Sequence, residues 1–192
     1  MSRLRRPIAV LLVLLAGGGL AACGKHRNEE APVQHIELEG HYLKLGDLKY
    51  QVQITRQLNP DDMQDRAYLR GVPEDERELA PDEVWFGVFM QVENEAEEPR
   101  TPSGDIEVID TQEKVYEPID LDESNPFAYD PTQPIPPGEV MPLPDTPAYD
   151  TPIQGALLLF KLKSISLDNR PLELKIEGTG TPHQTGIIDL DV

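Results

Sequence analysis

Apolar and polar positions alternate along much of the chain from residue 35 onward, and this period of two predicts β-strands. The clearest case is the segment 48–55, where every second residue is apolar, so that one face of a strand would be buried. Its apolar residues are Leu48, Tyr50, Val52 and Ile54. A half-buried strand of this kind is typical of an antiparallel sheet.

The segment 84–92 is apolar on both faces and therefore predicts a central strand. One face would carry Val84, Phe86, Val88, Met90 and Val92. Trp85 and Phe89 lie on the other, and Trp85 is interpreted as a core residue, with a ligand-stacking platform as the alternative. Further strands are predicted at 106–109, 156–165, 172–176 and 187–192, separated by clusters of Pro, Gly, Asn and Asp.

The only helical pattern lies at 59–69, where Asn59 would be the N-cap and Pro60 the first helical residue. This helix would be short and peripheral. Residues 130–151 contain seven prolines and predict an extended edge and loop. Many short strands with almost no helix favour an all-β fold, an antiparallel immunoglobulin-like β-sandwich over residues 35–192.

The N-terminal segment has the organisation of a secretory signal. Three arginines precede an apolar run at 8–16, which ends at three consecutive glycines, 17–19. A membrane-spanning helix needs roughly 20 apolar residues, so the run is too short to be a permanent anchor. We therefore predict that residues 1–22 are a signal peptide.

The end of this segment, Leu20-Ala21-Ala22-Cys23, resembles the lipobox of bacterial lipoproteins. The resemblance implies cleavage before Cys23 and attachment of diacylglycerol to its sulfur. The alternative is an ordinary cleaved signal followed by an incidental cysteine. Cys23 is the only cysteine in the chain, which excludes an intrachain disulfide. Residues 23–34 are then a flexible tether that holds the domain at the extracytoplasmic face of a membrane, in the periplasm or at the cell surface.

Acidic residues dominate the charge of the chain. The sequence contains 35 acidic and 17 basic side chains, and removal of residues 1–22 takes away three of the basic ones and leaves a formal charge of −21. Nucleic acid and anionic lipid headgroups repel such a domain. Nucleic-acid binding is therefore excluded as a function class.

Two groups of residues suggest a metal site. His35, Glu37, Glu39 and His41 alternate and would share one face of a strand. The two histidines would then lie roughly 20 Å apart at about 3.3 Å per residue, too far to share one ion. We therefore interpret this pattern as the solvated face of an entering strand.

The second group lies in an acidic segment. Asp120, Asp122 and Ser124 occupy the first, third and fifth positions of a calcium-loop pattern, with Glu123 between the last two. The pattern then fails, because the turn glycine is missing and Pro131 stands where a bidentate glutamate belongs. A solvated acidic loop is the preferred interpretation, and any cation would need carboxylates from a neighbouring loop.

No motif of a nucleophilic, phosphate-binding or metal-dependent enzyme is present, and no cofactor is predicted. We therefore expect that the protein is not an enzyme. Tyr129 and Tyr149 lie in proline-stiffened segments, which present side chains at low entropic cost. These two tyrosines are the predicted contacts for a ligand, and loops without a partner are the alternative.

From Tyr50 onward the chain resembles the immunoglobulin-like domain of unknown function carried by secreted bacterial lipoproteins, which is related in fold to immunoprotective extracellular antigens. The features that carry the resemblance are Val92-Glu93-Asn94, the segment 106–110 followed by Tyr116-Glu117-Pro118, the turn Pro136-Pro137-Gly138-Glu139 and the apolar strand 157–160. It implies a β-sandwich at the cell surface with no known activity. An acidic insertion at 61–82 leaves the strand order there open.

These observations together predict a cell-envelope lipoprotein with a non-enzymatic binding or structural module. Its partners would be the membrane, through Cys23, and a protein, peptide or glycan. The alternative function is a cation-binding or sensing domain that uses acidic loops.

Overall fold

The computed structural model describes residues 33–190 of the chain. Their strands form two β-sheets. The first sheet contains five strands, in spatial order β1 (Val33–Ile36), β10 (Thr185–Leu190), β9 (Leu172–Glu177), β5 (Ile106–Ile109) and β6 (Val115–Tyr116). Its neighbouring strands are antiparallel, except that β1 runs parallel to β10.

The second sheet is built around its longest strand, β4 (Glu83–Asn94). One side of β4 pairs with β3 (Leu48–Leu58), which also pairs with β2 (Leu43–Leu45). The other side pairs first with β8 (Ala156–Lys163) and then with β7 (Val140–Met141). All these pairs are antiparallel. The main hydrophobic core contains residues of both sheets, so the predicted β-sandwich is confirmed.

The strands predicted from alternation lie where they were expected. The bounds of β5 agree with the prediction, and β8, β9 and β10 differ from theirs by a few residues. In β3 the prediction is wrong at Ile54, whose side chain is 39% exposed. The register shifts between Val52 and Ile54, and this irregularity moves Ile54 to the opposite face.

The central strand β4 is buried on both faces, as its sequence predicted. One face packs into the main hydrophobic core, which contains residues of both sheets, among them Tyr50, Phe86, Val108 and Leu174. The other face carries Trp85 and Phe89 into a second buried cluster on the outer side of the second sheet. Trp85 is 3% exposed and has the Lys161 ammonium 5.3 Å from its ring centre, so it is a core residue and no open platform.

The insertion between β3 and β4 covers this second cluster, which we call the outer cluster. It is formed by Leu58, Val72, Trp85, Phe89, Leu157 and Leu159, with Tyr68 and Leu69 of the insertion packed against it. Because β3 and β4 are direct neighbours, the insertion does not change the strand order.

Helix is limited to α1 (Asp65–Tyr68) and short 3₁₀ turns at Glu74–Glu76 and Ser164–Leu167. The predicted helix start at Asn59 is wrong, because α1 begins at Asp65. The Asn59 side chain accepts the Asp61 N–H at 2.9 Å in a separate turn, and the Asp62 carboxylate accepts the N–H groups of Gln64 and Asp65 at 2.8 and 3.2 Å. Asp65 also accepts the Asn59 N–H at 2.8 Å. These local bonds compete with a continuous helix.

The N-terminal predictions fall largely outside the described residues, because the lipobox with Cys23 and most of the tether lie within residues 1–32. The first strand begins at Val33, so the last two residues of the predicted tether, Val33 and Gln34, belong to the sheet. The described residues, 33–190, lie within one compact unit, which contains both hydrophobic clusters. Among residues 33–190, no helix is both long and apolar enough to cross a membrane.

Asp110 organises the tight turn between β5 and β6. Its carboxylate accepts the N–H groups of Gln112 at 2.9 Å and Lys114 at 3.0 Å, and it is 5% exposed. Burial raises the pKa of Asp110, but hydrogen bonds from Ser166, Asn169 and the turn outweigh burial and hold the pKa below its ordinary value of 3.8. The charged form of Asp110 therefore stabilises the folded state.

We expect Asp110→Asn to lower the free energy of unfolding by about 1–2 kcal/mol near neutral pH, because a charged acceptor is lost. A depressed folded-state pKa contributes stability above the unfolded value, and this contribution is lost as the pH falls through the folded value. The difference between wild type and variant should therefore shrink towards zero in acid. Urea unfolding at several pH values measures it. Glu113→Gln, an exposed change in the same turn, is the control, and a pH-independent difference for Asp110→Asn would contradict the account.

Candidate functional site

A groove runs along one edge of the sandwich, where β5 of the first sheet approaches β8 of the second. Its central cleft has a volume of about 190 Å³. The apolar lining of this cleft includes Ile106, Pro118, Ile119, Leu121, Tyr129 and Leu157. Wider depressions of about 720 and 370 Å³ share residues with the cleft and continue the groove at its two ends.

Backbone hydrogen bonds to β8 hold two walls of the groove. The Ile119 N–H donates to the Leu159 carbonyl at 2.7 Å, which fixes one wall. The Leu157 N–H donates to the Phe127 carbonyl at 2.7 Å, and the Leu157 carbonyl accepts the Tyr129 N–H at 2.9 Å. These two bonds fix the other wall. The walls are therefore part of the sheet edge, and their positions are set by the fold.

Pro118 opens the groove at the edge of the first sheet. The ladder between β5 and β6 pairs Val108 with Tyr116. If the ladder continued two residues further, Ile106 would lie opposite Pro118. Proline has no N–H to donate, and the pairing ends there. The edge of β5 is thus left beside the cleft, next to Gly104, where an added Cβ would lie 3.1 Å from the Pro131 ring.

Every charged side chain that lines the groove in the described part of the chain is acidic. Asp105, Glu107 and Glu117 line one end, and the other end is lined by Asp120, Asp122 and Glu123. Of these carboxylates, Glu107 forms an ion pair with Lys175 at 2.8 Å. An apolar floor with an acidic rim favours a ligand that carries both apolar and positively charged groups.

The two predicted contact tyrosines are separated by the structure. Tyr129 is 9% exposed, and its hydroxyl donates to the Ser103 carbonyl at 2.7 Å. Burial raises the pKa of Tyr129 well above its ordinary value. Tyr129 therefore forms a fixed wall of the groove and belongs to the main core. Tyr149 is 42% exposed and does not line the groove.

The predicted calcium ligands lie at one end of the groove but do not converge. The Asp122 carboxylate accepts the Ser124 N–H at 2.8 Å, and hydrogen bonds from the Ser124 side chain and backbone lower the pKa of Asp122. Asp120, Asp122 and Glu123 do not bring three ligand atoms within 4.8 Å of one another. Among the described residues, the only group that does so is His35, Glu173 and Asp189. The acidic segment is a rim of the groove.

The predicted strand face at 35–41 is wrong beyond Ile36, where β1 ends. The chain turns through Gly40 at a φ of +78°, and Glu39 accepts a hydrogen bond from the Thr55 hydroxyl at 2.5 Å. His35 instead reaches across the sheet, with its Nε2 atom 2.6 Å from an Asp189 carboxylate oxygen. Glu173 lies beside this pair.

Hydrogen bonding to Asp189 raises the pKa of His35, and the charges of Asp189, Glu173 and Glu37 act in the same direction, while burial opposes them. Sequence reasoning missed this cluster because Asp189 is 154 residues from His35 along the chain. Only strand pairing brings the two together.

No protein-family model matches the chain, and no curated protein matches it. Similar solved structures include an uncharacterized β-sandwich protein from Clostridium difficile 630, at 13% identity over 86% of this chain and 99% of that one, with a TM-score of 0.48. The yjhA protein from Bacillus subtilis is 9% identical over 82% of this chain and 99% of that one, with a TM-score of 0.46. A functionally unknown protein from Listeria monocytogenes EGD-e is 10% identical over 79% of this chain and 82% of that one, with a TM-score of 0.49. These similarities concern the fold alone.

Proposed function

We propose that this chain is a membrane-tethered, non-enzymatic binding module that holds an extended, positively charged segment of a partner protein in its groove. The observation that carries the proposal is the apolar cleft whose charged lining is entirely acidic among residues 33–190. The groove combines a rigid floor with a uniform charge, and such a surface selects both shape and sign of charge.

The shape of the groove favours a segment of a larger partner over a free small molecule. Pockets for small molecules bury most of the ligand surface. This groove is instead open to solvent along its length, with a central cleft of about 190 Å³ between depressions of about 370 and 720 Å³. The cleft suits a single apolar side chain, and the depressions on either side would receive the neighbouring residues of the same segment.

Charge favours a basic segment. Lysine or arginine beside the apolar anchor would meet Glu117 at one end and Asp120 or Asp122 at the other. The chain has a formal charge of −18, which attracts cationic partners at long range. Because these rim carboxylates are exposed to solvent, binding should weaken as salt is added.

The proposed lipid anchor would hold the domain at a membrane surface. The proposed lipid on Cys23 would anchor the mature chain, because two or three acyl chains hold a protein stably where one does not. The segment between Cys23 and Val33 would then separate the domain from the bilayer. The groove would act on partners at the extracytoplasmic face of that membrane.

Cation binding is the second candidate function. It is favoured by the convergence of His35, Glu173 and Asp189, and the acidic loops contribute no comparable cluster in the described residues. This site lies on the first sheet and shares no residue with the groove.

A charge reversal in the rim tests the binding proposal. We expect the double variant Glu117→Lys, Asp120→Lys of the 31–192 fragment to bind a short lysine- and leucine-containing peptide at least about tenfold more weakly than wild type, which is about 1.4 kcal/mol. Calorimetric titration at two salt concentrations measures the affinity and its salt dependence.

The control is the double variant Glu97→Lys, Glu139→Lys, which makes the same change in net charge at exposed positions that do not line the groove. It should keep most of the wild-type affinity. Equal losses in the two double variants would show that net charge alone attracts the peptide, and the groove proposal would then be rejected.

A further inference from the structure

Three side chains from three adjacent strands converge on the outer face of the first sheet. His35 lies on β1, Asp189 on β10 and Glu173 on β9. One ligand atom from each of them lies within 4.8 Å of the other two. Because the strands are hydrogen bonded to one another, the three groups are held on a rigid scaffold.

Asp189 and Glu173 are direct cross-strand partners. The Gly178 N–H donates to the Gln184 carbonyl at 2.7 Å, so this pair is hydrogen bonded and the pairs alternate from there. Asp189 and Glu173 then form a non-hydrogen-bonded pair, in which side chains approach most closely. Two like charges at such a position destabilise a sheet unless a cation lies between them.

The neighbouring carboxylates on the same sheet face already have a cation. Lys175 pairs with Glu107 at 2.8 Å and with Glu177 at 3.1 Å. Within the described residues, neither Asp189 nor Glu173 forms an ion pair with a lysine or arginine, and the ion pair of Asp189 is with the His35 imidazole. The cluster thus has two carboxylates, one imidazole and no permanent positive charge.

We propose that His35, Asp189 and Glu173 bind a divalent transition-metal ion, with zinc as the preferred metal. The His35 imidazole would supply one nitrogen, and each carboxylate would supply one oxygen. A mixed imidazole and carboxylate set suits zinc better than calcium or magnesium, which take oxygen ligands. Three protein ligands leave a coordination position for water.

The ligand atoms need only small movements to reach this arrangement. His35 and Asp189 share a hydrogen bond of 2.6 Å, and two ligands of one zinc ion lie roughly 3.3 Å apart, given bonds of about 2.0–2.1 Å. The His35 side chain is 47% exposed and the Asp189 side chain 21%, so an ion can enter from solvent.

Metal binding would fasten β1 to the sheet. β1 has only four residues and is an edge strand, paired with β10 alone in its sheet. It is also the first element after the proposed tether. An ion shared by β1, β10 and β9 would therefore fix the strand on which any force from the membrane anchor acts.

Zinc titration of the 31–192 fragment, prepared without a histidine tag, tests the site. This fragment lacks Cys23 and His26, which could otherwise bind zinc. We expect one ion per chain by calorimetry and an increase in Tm that chelator reverses. His35→Ala and Asp189→Asn should each lower the affinity at least about tenfold.

His183→Ala is the matched control, because His183 also pairs with a carboxylate, Glu177, at 2.8 Å but lies outside the cluster. It should bind zinc as wild type does. The Tm of each variant in chelator shows whether it is folded, and Glu173→Gln replaces any variant that is not. Absence of saturable zinc binding, or equal binding by wild type and both cluster variants, would overturn the proposal.

Discussion

Phe89→Ala will lower the free energy of unfolding of the 31–192 fragment by about 3–5 kcal/mol. Phe89 is 1% exposed and belongs to the outer cluster. Its ring packs edge-to-face against Tyr68 with centroids 4.9 Å apart, which adds to the area that it buries. Truncation would leave a cavity between β4 and the insertion, and neither can collapse freely into it.

The prediction matters because it decides whether the insertion is part of the folded core. Domains are stable by about 5–15 kcal/mol, so the loss would be a large share of the total. Equilibrium urea unfolding measures it. Ile54→Ala is the control, since Ile54 is the cross-strand partner of Phe89 but is 39% exposed, and it should cost about 1 kcal/mol or less. A similarly small loss for Phe89→Ala would mean that the insertion does not close a second core.

Cys23→Ala will abolish membrane retention of the protein or leave it as an uncleaved precursor. The reason is chemical, because the proposed diacylglycerol is attached through the cysteine sulfur and the chain has no other cysteine. Without acyl chains the mature protein would lose its anchor, since even one chain gives binding of only about 10⁴ M⁻¹. Cell fractionation with detection of the mature and precursor sizes measures the effect.

His26→Ala is the control for this experiment, because it changes a residue three positions further along without touching the lipobox. It should leave both processing and retention unchanged. Full membrane retention of Cys23→Ala at the mature size would contradict lipidation. The domain would then need another means of attachment.

The sequence predicts the sandwich because its strongest signal is local. Alternation at 48–55 and the two-sided apolar segment 84–92 each report the burial of a single strand, and the structure confirms both elements as β3 and β4. Ile54 is the exception within these strands, because a shift of register reverses the alternation without leaving a mark in the composition.

The sites are less predictable, because they depend on pairing between distant segments. Sequence spacing treats only neighbours along one strand, so it could not indicate that Asp189 and Glu173 lie beside His35. The groove has the same origin. The proline-rich surroundings of Tyr129 predict an accessible contact, but its backbone bonds to β8 and the residue is a buried wall of the groove.

Mapping of peptide binding by NMR tests the central claim, that the acidic groove is the binding surface. The isotope-labelled 31–192 fragment would be titrated with the lysine- and leucine-containing peptide while amide shifts are followed. The account predicts saturable shifts confined to Gly71 and residues 104–107, 117–124, 128–131 and 157–158, with the sheet face around His35 unchanged. Shifts spread over the whole acidic surface, or concentrated away from the groove, would contradict it.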